Sequence, residues 1–186
     1  MQIVSTEIPD VKIITPVRHG DARGFFSEIF REDVLVQHGI DIRFVQENHS
    51  YSAAKGVLRG LHFQAPPMAQ AKLVRVAVGT ILDVAVDIRV GSPSYGRHVA
   101  VELSAELGSQ LFVPEGFAHG FCTLVPDTQV LYKVNRYYSA EHDGGVLWDD
   151  PALGIGWPVG VDEAVLSDKD RRQPHLADLP PLFHYG

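Results

Sequence analysis

Four short segments hold side chains whose types and spacing can move protons. In Arg59-Gly60-Leu61-His62-Phe63-Gln64 an imidazole sits two residues from a glycine. On a strand, Gly60, His62 and Gln64 share one face and Leu61 and Phe63 the other. That pattern puts His62 either in a barrel interior with room for a ligand or on a polar surface strand. In Gln70-Ala71-Lys72-Leu73-Val74-Arg75, Lys72 begins a strand, and Asp83 and Asp87 follow on the next. A hairpin about Gly79-Thr80 would join them in one sheet as a cross-strand ion pair. A lysine aimed into a cavity would instead stabilise a developing oxyanion. In the segment Phe112 to Phe121, Pro114, Gly116 and Gly120 bracket a tight turn that presents His119 between two phenylalanines, as a structural histidine or a pocket wall. The segment Val130 to Tyr138 reads as a strand with three tyrosines, which are packing residues unless a hydroxyl reaches a site and donates a proton.

Other chemistries lack their residues. Nine histidines invite a metal, yet His62 is followed by Phe63-Gln64 with no second His, and His119 has no partner at i+2 or i+4. Cys122 stands alone, which excludes an intramolecular disulfide and a cysteine-based zinc cluster and suits a reducing, cytoplasmic setting. No Gly-rich phosphate loop and no Ser-centred nucleophile elbow is present. General acids, general bases and fixed charges are what remain. With 16 Lys+Arg against 23 Asp+Glu the net charge is −7, which gives no electrostatic reason to expect a nucleic-acid polymer or an anionic membrane as partner. An anionic ligand would need a local basic pocket.

These residues need a scaffold, and the chain of 186 residues, 45% hydrophobic and 21% charged, suffices for one domain with a full core. The opening MQIVSTEIPD lacks the basic and apolar regions of a secretory signal. Val74 to Val90 is interrupted by Arg75, Asp83, Asp87 and Arg89 and cannot supply the ~20 apolar residues of a membrane span. Short segments rich in Val, Ile and Phe between dispersed Gly and Pro predict an all-β sandwich or barrel. In ILDVAVDIRV, Leu82, Val84, Val86, Ile88 and Val90 form a greasy face, and Asp83, Ala85, Asp87 and Arg89 a polar one. Further strands are predicted at Lys12–Pro16, Arg43–Gln46, Gly56–Phe63, Lys72–Val78, His98–Leu103, Ser109–Val113, Gly120–Leu124 and Thr128–Val134. Two short helices are predicted, Glu32–Gln37 ended by Gly39, and a turn or two capped by Ser167. The tail from Ala152 to Gly186 reads as irregular chain wrapping the body.

Taken together the segments resemble the dTDP-4-dehydrorhamnose 3,5-epimerases, enzymes of the cupin, jelly-roll fold. The likeness runs in one order through Asp21-Ala22-Arg23-Gly24-Phe25-Phe26, Phe44-Val45-Gln46-Glu47-Asn48-His49-Ser50, Gly56-Val57-Leu58-Arg59-Gly60-Leu61-His62, Pro114-Glu115-Gly116-Phe117-Ala118-His119-Gly120-Phe121, Leu131-Tyr132-Lys133, Trp148-Asp149-Asp150-Pro151 and Leu166-Ser167-Asp168-Lys169-Asp170. It implies conversion of dTDP-4-dehydro-6-deoxy-D-glucose into dTDP-4-dehydro-L-rhamnose, without metal or cofactor, by inversion of the two carbons beside the ketone. It also implies a homodimer whose N-terminal strands pair with the partner sheet, lending Arg23 and Glu28 to the neighbouring site.

Roles follow from the same resemblance. His62 would be the base and Asp170 its carboxylate partner, Lys72 would carry the enolate charge at O4, and Tyr132 would return a proton from the other face. Arg23, Arg59 and Lys169 would meet the diphosphate and sugar. Glu28, Gln46, Asn48 and His119 would meet nucleotide and sugar hydroxyls, with Phe26 and Tyr138 around the thymine. Asp83 matches the family's buried acid near the site. Asp143 stands at the binding rim where many members carry Glu. Relatives that invert one carbon only, and a non-catalytic sugar-nucleotide-binding cupin, are the alternatives to be separated.

Overall fold

The computed structural model describes residues 1–186, in which the apolar, β-branched segments form thirteen strands and one short helix. In chain order these are β1 (Gln2–Ser5), β2 (Lys12–Thr15), β3 (Arg18–Asp21), β4 (Gly24–Ser27), α1 (Glu32–Gln37), β5 (Gln46–Ser52), β6 (Leu58–Gln64) and β7 (Lys72–Val78). There follow β8 (Thr80–Asp87), β9 (His98–Ser104), β10 (Gln110–Val113), β11 (Phe117–Thr123), β12 (Thr128–Val134) and β13 (Asp143–Gly145). One sheet has the order β1-β2-β10-β7-β12-β5, the other β13-β6-β11-β8-β9, and β3-β4 is a separate hairpin. Paired strands within both sheets are antiparallel. From β5 to β8 each successive strand changes sheet, as the predicted jelly roll requires.

The main core lies between the sheets. Val74, Val76, Leu111, Val113 and Val130 from one meet Ile81, Ala85, Val99, Leu103, Phe117 and Phe121 from the other. A second cluster covers the outer face of the five-stranded sheet, where Leu153, Leu176 and Phe183 of the tail pack on Leu61, Phe63, Val84, Val86 and Ala118. A third seats Leu35 of α1 and Ile40 against Ile14, Leu73 and Phe112. The predicted tail therefore does wrap the body.

Several expectations are corrected. The greasy face of β8 is covered by the tail, but its polar face is buried too, because Asp83 and Ala85 point between the sheets, and the strand ends at Asp87. β7 and β8 lie in different sheets, so the short Gly79 connection is a crossing, not a hairpin, and Lys72 has no cross-strand carboxylate. His119 and Gly120 lie within β11 instead of a turn; the turn ends at Gly116. The expected Arg43–Gln46 strand is displaced to Gln46–Ser52, and Tyr137 and Tyr138 fall beyond β12. The second helix is a single 3-10 turn, Asp170–Arg172, with the Asp170 amide donating to Ser167 Oγ at 3.1 Å.

Candidate active site

β6 and β11 approach unusually closely where two glycines face each other. A Cβ on Gly60, whose φ is +119°, would lie 2.6 Å from the Gly120 Cα and 2.7 Å from the His119 carbonyl oxygen. The absence of side chains there lets the strands pair with His62 opposite His119. On the facing sheet, Lys72 is the first residue of β7, and Tyr132 on β12 lies opposite Asn48 on β5. A cavity of about 230 Å³ opens between the sheets, lined by Ser50, Arg59, His62, Lys72 and His119, with Phe121, Tyr132, Ser167, Lys169 and Asp170 completing the wall.

The His62 Nε2 is 2.5 Å from Asp170 Oδ1, an oxygen brought in from the tail. Ser167 Oγ donates to the other carboxylate oxygen at 2.8 Å. Burial pushes the Asp170 carboxyl up, but the hydrogen bonds from His62 and Ser167 and the nearby Lys169 hold it below the usual carboxylate value. With Nε2–H committed to a carboxylate, neutral His62 has Nδ1 as its basic nitrogen. His119 repeats the pairing deeper in, its Nε2 2.7 Å from Asp83 Oδ1. Burial pushes its pKa below the ordinary imidazole value, and Asp83 only partly offsets this.

Lys72 is 7% exposed, and its ammonium donates to the His62 carbonyl oxygen at 3.1 Å. Burial pushes its pKa down to about 8 against the opposing pull of Asp83 and Asp143. Burial likewise raises the Tyr132 phenol above its ordinary value, so it stays protonated at neutral pH. Arg59 is fixed on the wall by donating to Ser52 Oγ at 3.3 Å and the Tyr51 carbonyl at 3.1 Å. At the rim, Asp143 accepts from Lys169 and, at 3.1 Å, from the Tyr138 hydroxyl.

Seven of the anticipated residues thus line one space: Arg59, His62, Lys72, His119, Tyr132, Lys169 and Asp170. Asp83 does not line it but stands behind His119 with 0% exposure. Gln46 and Asn48 sit on β5 beside Tyr132, and the Gln46 amide donates to Asn48 at 2.8 Å. Arg23, Phe26 and Glu28 are exposed on or just after the β3-β4 hairpin and take no part in the cavity of their own chain. Phe121 lines the cavity, in keeping with the pocket-wall reading of the phenylalanines about His119, whereas Ser50 and Ser167 were not anticipated as lining residues; Ser50 could have been found, since it shares a strand face with Gln46 and Asn48. No three His, Cys, Asp or Glu side chains converge as a ligand set, and the functional groups occur as pairs. The arrangement offers a base held by a carboxylate, a buried cation and a buried phenol around one volume, which suits abstraction of a proton next to a carbonyl.

Comparison with known proteins agrees with that chemistry. An epimerase of Sinorhizobium fredii is 55% identical over 185 residues, covering 100% of this chain and 94% of its own. The crystal structure of dTDP-4-dehydrorhamnose 3,5-epimerase from Bacillus anthracis, with TDP and PPi bound, superposes with a TM-score of 0.91 at 52% identity over 94% of this chain and 98% of that one. The Legionella pneumophila dTDP-6-deoxy-D-glucose-3,5-epimerase, in complex with dTDP-4-keto-L-rhamnose, gives a TM-score of 0.94 at 44% identity, covering 100% and 98%. Residues 5–178 match the pattern of one family throughout, and with the cavity built as it is, this chain belongs to the dTDP-4-dehydrorhamnose 3,5-epimerases.

Proposed function

We propose that this isomerase converts dTDP-4-dehydro-6-deoxy-D-glucose into dTDP-4-dehydro-L-rhamnose by inverting C3 and C5. One observation carries the reading: a His–carboxylate pair, a buried ammonium and a buried phenol share one cavity. A hydrogen beside a ketone becomes acidic only when the enolate oxygen is stabilised. His62 Nδ1 takes that proton, the C–H electron pair becomes the enolate double bond, and the carbonyl pair moves onto O4 beside the Lys72 ammonium. Tyr132 then donates its proton to the carbon and the ketone re-forms. His62 loses its proton to water and the Tyr132 phenolate regains one, so nothing is oxidised or reduced. Inversion needs acid and base on opposite ring faces, and His62 and Tyr132 come from opposite sheets.

Arg59 and Lys169 are the cavity's cations for the diphosphate. Gln46, Asn48 and His119 suit hydroxyls, Tyr138 the base, and Asp143 sets the rim by holding Lys169 and Tyr138. About 230 Å³ accommodates a hexose, whereas sites for whole drug-sized ligands run to roughly 300–1,000 Å³. The nucleotide therefore extends across the rim, and we infer that a second copy of the chain completes it there with Arg23, Phe26 and Glu28. This homodimer reading is supported by the placement of those three side chains away from their own cavity, and the lone, unpaired Cys122 suits a cytoplasmic setting.

The test is proton NMR of the keto-sugar nucleotide in D₂O with purified protein and no added metal. Loss of both C3 and C5 proton signals, with L-rhamnose after reduction, is expected. Loss at one carbon would make the enzyme a monoepimerase, and no exchange at either would overturn the reading.

A further inference from the structure

The buried acid of β8 has one atom with nothing to bond. Asp83 is 0% exposed, its Oδ1 takes the His119 Nε2–H, and its Oδ2 has no hydrogen-bond partner. Interior carboxylates are normally satisfied at both oxygens or matched by a nearby cation. The cation here is Lys72, also buried, on the facing sheet and without a direct ion pair. A contact pair would pin the ammonium to Asp83, whereas separation leaves it a face on the cavity, which both Lys72 and His119 line while Asp83 does not. In a low-dielectric interior the attraction still acts over that gap.

Resting on the proposed function above, we propose that Asp83 is a positioning residue rather than a binding one: it fixes His119 with Nδ1 as the acceptor towards the cavity and supplies the fixed charge that keeps the Lys72 ammonium charged for its work at O4. The charged and titratable groups around Lys72 are Asp83 on β8, His119 on β11, Arg59 and His62 on β6, Tyr132 on β12, Asp143 on β13, and Lys169 and Asp170 of the tail. Asp83 and Asp143 favour the ammonium and Lys169 opposes it, with Asp83 the larger of the two favourable influences.

Asp83→Asn keeps a carbonyl oxygen for His119 and removes only the charge. Lys72 loses its proton above about pH 8, and an ammonium deprived of a facing carboxylate loses it at lower pH. In the variant, the alkaline limb of kcat/KM should therefore move down by roughly one unit or more. A ¹³C titration of the lysine Cε signals in the free protein, with the Lys72 resonance identified by its loss in Lys72→Met, should show the same displacement without any substrate. In the unaltered protein, ¹⁵N shifts of the His119 ring at pH 7 should report a protonated Nε2 and a bare Nδ1, so the idea is exposed even where Asp83→Asn fails to fold. An unmoved Lys72 titration in a folded variant, or the opposite His119 tautomer, would overturn it. Failure of the epimerase reading would show instead as absent exchange in the unaltered enzyme, with both spectroscopic results intact.

Discussion

His62 and His119 are register partners on adjacent strands, each held by a carboxylate through Nε2, yet they differ in how well they suit the base proposed above. A catalytic base must return its proton to water in every cycle. The His62 side chain is 32% exposed and that of His119 only 7%, so His62 has the freer path to solvent. The burial that lowers the His119 pKa also makes an imidazolium there costly, which leaves it as a neutral hydrogen-bonding group. Tyr132 has the complementary property: burial raises its pKa, so its proton is retained at neutral pH, as the acid proposed above must retain it. Tyr132→Phe should therefore leave C–H exchange running while slowing inversion by about 10²- to 10⁴-fold, the usual contribution of a positioned acid. Deuterium wash-in measured beside trapped L-configured product separates the two rates. Inverted product at an unchanged rate would remove Tyr132 from the role of acid.

At the scale of elements, the site depends on the contact of β6 with β11. Gly60→Ala would place a methyl into the Gly120 backbone at a φ that disfavours side chains, and such strain costs about 1–3 kcal/mol before the clash is added. Gly91 also has a positive φ, +87°, but open space around it, so Gly91→Ala isolates the backbone cost. At 2–4 °C per kcal/mol for a chain of this size, Gly60→Ala should lower Tm by roughly 2–12 °C or more, and by more than Gly91→Ala. Equal losses in the two variants would mean the strands simply separate. The strands themselves were largely legible, because apolar alternation survives folding: Lys72–Val78 and Thr128–Val134 match their predicted bounds. The partner of each strand was not legible, since a short glycine connection serves a hairpin or a sheet crossing equally well, and the β7–β8 connection is a crossing. The β3-β4 hairpin gave no signal, because Arg18–Asp21 is exposed throughout and lacks a greasy face. Asp170 joins His62 across 108 residues, a pairing that residue spacing alone does not reveal and that only the family resemblance anticipated.

Over the whole molecule, the most exposed large apolar side chain lies on the β3-β4 hairpin. Phe25 and Phe26 are 61% and 73% exposed on the hairpin, in a protein that otherwise covers both faces of its five-stranded sheet. Adjacent aromatic side chains so exposed, beside an arginine that does not line the His62 cavity of its own chain, fit a segment that completes a neighbouring site. In a two-fold dimer the exchange is mutual, so each site would combine His62 of one protomer with Arg23 of the other. Arg23→Ala and His62→Ala should each be nearly inactive alone. After mixing, dissociation and reassociation, about half the dimers are mixed, and each mixed dimer regains one intact site while its second site carries both substitutions. Recovered activity should therefore approach about one quarter of the unaltered enzyme's, and light scattering should report a dimer. Activity that stays at the sum of the two variants, despite exchange of subunits shown by a mass tag, would place Arg23 with its own chain's His62 and end the shared-site reading.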